Sequence, residues 1–181
     1  MKNIKGFITN MIAILVGILT YVFLSQPYMS YEVQSGILGA GSSLEGLTGY
    51  QFISNMDSEN AKIVIIGIAN LIVAIIAGLL ILFAIFNMLT STGTVKVKNP
   101  KFTHKINIIN SVILVLISVV VLICAILLAG DNNVDAGIFF SSKPVVAWAL
   151  FVNFALAFVA LCVVIIASLG IKVSKNRKKK K

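Results

Sequence analysis

Few side chains in this 181-residue chain are of types that do chemistry. The only histidine, His104, stands among Lys96, Lys98, Lys101 and Lys105, where a solvated loop position suits it better than work as a base. Cys124 and Cys162 both fall in apolar runs, and a buried thiol packs as a small hydrophobe. No Cys/His cluster has the spacing of metal ligands. Asp57, Glu59, Asp131 and Asp135 carry the carboxylates a divalent cation needs, yet solvated acidic loops account for them without one. The glycines between Gly36 and Gly49 do not lie between a strand and a helix, as a phosphate-binding loop requires. No acid, base and nucleophile come together, so the expectation is a protein that is not an enzyme and carries no cofactor.

Two other groups of residues remain. One is intramembrane and polar: Asn70, Asn153, Ser111 and Ser118 interrupt otherwise greasy runs. The other is the basic tail, Lys172, Lys175, Arg177, Lys178, Lys179, Lys180 and Lys181. Juxtamembrane clusters of this kind bind anionic lipid head groups at about 1 kcal/mol per charge.

The elements that would carry these residues are hydrophobic rods. Ile63 to Leu89 holds no charged residue, and as a helix it would be roughly 40 Å long against about 30 Å of hydrocarbon. Runs at about 7–25, 106–130 and 145–171 are similar. The whole chain is 59% hydrophobic and 12% charged, with a mean hydropathy of +1.02; soluble domains hold about 25% charged residues. The expected fold is an all-α integral membrane protein, one domain over 1–181, built as a four-helix bundle. Phe7 to Ser25 also fits the apolar core of a signal peptide, but no small-x-small cleavage site follows it. Pro100 is expected to break any helix through 90–105, and Pro144 to open the fourth helix. The long connection 26–62 has room for a strand pair or an interfacial helix, with Tyr28, Tyr31, Tyr50 and Phe52 as interfacial rings.

Charge sets the expected orientation. Two Lys lie before the first run, four between the second and third, and seven Lys/Arg follow the fourth. The remaining Lys62 and Lys143 border 26–62 and 131–144, and all six acids lie in those segments. The positive-inside rule then places both termini in the cytoplasm and 26–62 and 131–144 outside. The net charge of +9 sits at the ends of apolar runs rather than on a soluble face, so nucleic acid is not an expected partner. The abundance of Ile, Asn and Lys suits a bacterial plasma membrane.

No ionisable residue interrupts the four runs, which speaks against proton relays and voltage sensing. Small and polar residues recur instead at helical spacing: Thr9, Ala13, Gly17 and Thr20; Gly67, Asn70, Ala74 and Gly78; Asn107, Ser111, Ser118 and Ala125; Ala149, Asn153, Ala157 and Ala160. Helices associate in lipid through such stripes. The function expected is assembly, with itself as a homo-oligomer or with a larger membrane-protein partner. The alternative is a small channel, holin-like pore or transporter subunit with an Asn/Ser-lined path. The layout of four spans with a longer first outer loop resembles the claudin-like and tetraspan arrangement. The first loop lacks the Trp, Gly-Leu-Trp and paired Cys of claudins, and no residue role is transferred.

Overall fold

A computed structural model of the chain describes residues 4–35, 42–44, 46–95, 100–130, 134–135 and 140–179. Helix α1 spans Ile4–Leu24 and leads into strand β1, Met29–Ser35. Strand β2 (Ser42–Leu44) and the short helix α2 (Gly49–Ser54) precede α3, Ala61–Thr92. Helix α4 spans Pro100–Ala129, β3 Val134–Asp135, β4 Phe140–Val146 and α5 Trp148–Lys179. The chain is thus mostly helical, and four helices contain stretches long and apolar enough to cross a membrane: Gly6–Leu24, Ala61–Thr90, Thr103–Ala129 and Trp148–Ile166.

Local sequence explains several helix ends. Asn60 caps α3, its side-chain oxygen accepting from the Lys62 amide at 3.0 Å. At the other end Gly93 takes φ +86, and the bonds Thr94 N to Leu89 O and Gly93 N to Thr90 O close a Schellman turn. Pro100 is the first residue of α4, where its missing N–H costs nothing. Thr48 caps α2 through a full capping box with Gln51.

The expectation of an all-α chain fails at the connections. The four strands form one antiparallel sheet in the order β2-β1-β4-β3, with β1 and β4 paired over seven positions from Met29↔Val146 to Ser35↔Phe140. Pro144 therefore sits in a strand rather than in a first helical turn, and α5 starts at Trp148, not 145. It lies past the β3 pairing at Ser142, on a flank of β4 with no described neighbour. Edges of this kind are where a sheet tolerates proline. The connection 26–62 holds both alternatives, strands and a short helix. The tail is helical in backbone through Lys179.

Two compact units divide the chain. The first comprises 1–21, 74–116 and 155–181, the second 22–73 and 117–154. In the first unit the buried face includes Ala13, Val16, Ala77, Leu80, Leu114, Ala157 and Ala160. Gly17 lets α1 approach α3 closely, since a Cβ there would stand 2.5 Å from Ile81, and the Tyr21 hydroxyl donates to the Ala74 carbonyl at 2.5 Å. In the second unit Leu24, Tyr28, Met29, Phe52, Ile66 and Leu150 are the large buried side chains. Helix α2 rests on α3 at Gly67, where a Cβ would come within 2.4 Å of the Phe52 carbonyl. Large aliphatics face out in both units, among them Leu15, Leu82, Leu116 and Ile166 at 55–63% exposure in the first and Ile123, Ile126 and Leu127 at 51–53% in the second.

Candidate functional site

The second unit contains a small polar cavity of ≈10 Å³ lined by Tyr28, Asn70, Ser118 and Asn153, with Val73, Val121, Leu150 and Phe154 completing the wall. Tyr28 follows α1 and is held by its backbone from both sides: its amide donates to Leu47 O at 2.9 Å, and its carbonyl accepts from Ala147 N at 2.8 Å. The Ala147 bond continues the β1–β4 pairing and the Leu47 bond lies on the β2 side, so the sheet positions the phenol. Its hydroxyl accepts a hydrogen bond from the Asn153 amide of α5. Burial pushes the Tyr28 hydroxyl pKa well above its ordinary value, with the Asn153 bond opposing only in part.

Asn70 projects from α3 and is 1% exposed. Its Nδ2 donates to the Gly49 carbonyl at 3.4 Å, which ties α3 to the first residue of α2. Its Oδ1 has no protein partner. Ser118 of α4 is buried on the same cavity. Asn70, Asn153 and Ser118 therefore share one wall, though no bond joins the two amides directly.

In the first unit α1, α3 and α4 carry a second set of buried amides, Asn10, Asn87, Asn107 and Asn110. Asn10 donates to Gly6 O at 2.7 Å within its own helix. Asn87, Asn107 and Asn110 are buried, and both side-chain atoms of Asn87, Asn107 Oδ1 and Asn110 Nδ2 lack protein partners. Ser111 is spent inside α4, donating to Asn107 O at 2.8 Å. Neither Asn10 nor Asn110 belongs to the stripes read from the sequence; both stand one helical turn from a small or polar residue, which is the signal that could have found them.

No protein-family model, no curated protein and no solved structure matches this chain. Its chemistry must therefore be argued from its own residues. His104 lies in the first turns of α4 and is half-buried rather than a solvated loop residue. Cys124 and Cys162 are both free thiols. Asp57 and Glu59 are exposed, while Asp131 lies outside the described residues. Among the described residues no three His, Cys, Asp or Glu side chains gather as metal ligands would. Of the tail, Lys172, Lys175, Arg177, Lys178 and Lys179 belong to the α5 backbone, and Lys180 and Lys181 lie outside the described residues. Tyr28 and Phe52, expected as interfacial rings, are instead buried at 1% and 0% exposure. Tyr28 is held inward by its bonds to Leu47 and Ala147, and Phe52 is buried as a residue of α2, the helix that rests on α3. Tyr50 is exposed, the Tyr31 side chain lies outside the described structure, and Trp148 at the start of α5 meets Phe23 edge to face at 5.7 Å.

Proposed function

We propose that this chain is an integral membrane protein of the bacterial plasma membrane that acts without catalysis, through helix packing and assembly with itself or a larger membrane complex. In this reading the four long helices form a bundle with both termini in the cytoplasm, and the basic end of α5 lies against anionic head groups. One observation carries it, a partial inversion: along four helices many large Ile, Leu, Val and Phe side chains are exposed, while Asn, Ser and Thr are buried beside Ala, Leu and Val. Water would penalise that inversion, since soluble monomers rarely expose apolar patches beyond a few hundred Å², whereas lipid rewards it. Lysines gathered on one side support the orientation.

A path for solute is the second reading, favoured by the buried amides of both units. Purified protein in liposomes separates the two. Assembly requires a defined oligomer or a co-purifying membrane protein on crosslinking in native membranes, and no saturable or ion-selective flux. Robust flux abolished by replacing Asn70 and Asn153 with Leu, with the oligomer intact, would overturn it. Tags at the two termini reporting opposite compartments would overturn the orientation.

A further inference from the structure

We propose that the cavity of the second unit is a binding site for one water molecule, held by Tyr28, Asn70 and Ser118. Room is the first reason. A volume of ≈10 Å³ is about that of a single water-sized sphere, and a water is held stably when it finds two to four polar partners. Unmet demand is the second. Asn70 Oδ1 is buried without a protein donor, and leaving an acceptor unpaired costs about 1–3 kcal/mol. The Tyr28 oxygen already accepts from Asn153, so its own hydrogen remains to be given.

A water answers both demands. It accepts from the Tyr28 O–H and donates one hydrogen to Asn70 Oδ1 and the other to Ser118 Oγ. The bonds then run in one direction: Asn153 amide to Tyr28, Tyr28 to water, water to Asn70, and the Asn70 amide to the Gly49 carbonyl. This neutral chain joins α5, the residue preceding β1, α3, α4 and α2. A monovalent cation of similar size is the competing occupant. It would have no carboxylate among the eight lining residues, and an uncompensated charge in an apolar wall of Val73, Val121, Leu150 and Phe154 is costly.

Tyr28 and Asn70 make no direct bond, so energetic coupling between them reports the bridge. Thermal unfolding of the full-length protein in detergent is measured for Tyr28→Phe, Asn70→Ala and the double variant. The water site requires a double shift clearly smaller than the sum, because the second substitution removes a partner from a bridge already broken. Strictly additive shifts would overturn it. The unfolding midpoint must also be the same in sodium and choline chloride; a rise in sodium alone would identify a cation. Crystals from a lipidic mesophase give the direct view. One peak at hydrogen-bond distance from Tyr28 Oη, Asn70 Oδ1 and Ser118 Oγ is expected. An empty cavity, or contacts below about 2.5 Å as a metal ion makes, sinks the assignment.

Discussion

Gly67 offers a test of how the short helix is seated on the long one. A Cβ there would stand 2.4 Å from the Phe52 carbonyl oxygen and 2.7 Å from Met56 Cγ, while real Cβ contacts stay above 3.0 Å. The nearer atom belongs to helical backbone, so α2 must move by about 0.6 Å as a body to admit even a methyl group. Two effects oppose each other in Gly67→Ala. Replacing glycine inside a helix gains about 1 kcal/mol, and overpacking costs about 1–3 kcal/mol. A net loss of about 0–2 kcal/mol is expected by that difference. Gly67→Leu gains nearly as much helix propensity, but its losses outweigh it. It lifts α2 and uncovers Phe52, whose burial is complete and contributes about 1.5–3 kcal/mol, so the net loss should reach about 2–5 kcal/mol. Thermal unfolding in detergent reads the loss, and hydrogen exchange over residues 48–56 locates it. Gly130→Ala is the control, because its added methyl meets nothing nearer than 3.6 Å. If Gly67→Leu unfolds with the wild type and keeps 48–56 protected, the described seating is wrong.

Thr48→Ala removes the side-chain half of the capping box on α2, leaving the backbone N–H of residue 48 on Gln51 Oε1, and should cost about 1 kcal/mol, seen as faster exchange of the Gly49, Tyr50 and Gln51 amides with α3 unaffected. Tyr21→Phe deletes the bond to the Ala74 carbonyl and should lower stability by about 0.6–1.7 kcal/mol, the range for interhelical bonds in lipid; a shift within error would show the bond to be dispensable. The buried Tyr28 has a pKa raised above the usual value near 10. The native state then holds this proton more tightly than the unfolded chain, so its contribution is fully present below about pH 10 and is lost as pH rises above that. Comparing wild type with Tyr28→Phe from neutral to strongly alkaline pH isolates it: the gap between the two must narrow in the alkaline range, and a constant gap counts against the burial of the phenol.

The helices were legible because each is a long uncharged run, and in a bilayer the backbone must satisfy itself internally. The sheet was not, because strands of two to seven residues draw their stability from partners far away in sequence. Met29-Ser30-Tyr31-Glu32-Val33-Gln34 does alternate apolar and polar residues, the period of a strand. Its partner Phe140–Val146 does not alternate, and Pro144 there imitates a helix start. In the candidate site, Asn70 and Asn153 stood out as polar residues in greasy runs, and both are buried on one cavity. Tyr28 did not stand out. A tyrosine beside an apolar run usually marks the interface, and only the closure of β1 against β4 turns it inward. The small-residue stripe of α3 holds only in its first half: Gly67 and Asn70 are buried, whereas Ala74 and Gly78 are only half-covered and Val73, Ala77 and Ala84 are buried in their stead. Aliphatic side chains on every side of a rod give the sequence no way to fix its angular setting.

The strand that follows the first helix is matched by one that immediately precedes the last, about a hundred residues downstream. During synthesis β2 can take one edge of β1 at once, but the edge that faces β4 must wait, its hydrogen-bonding groups unclaimed, until Phe140–Val146 has emerged. A ribosome that stops before Phe140 would leave that edge orphaned for proteases to find.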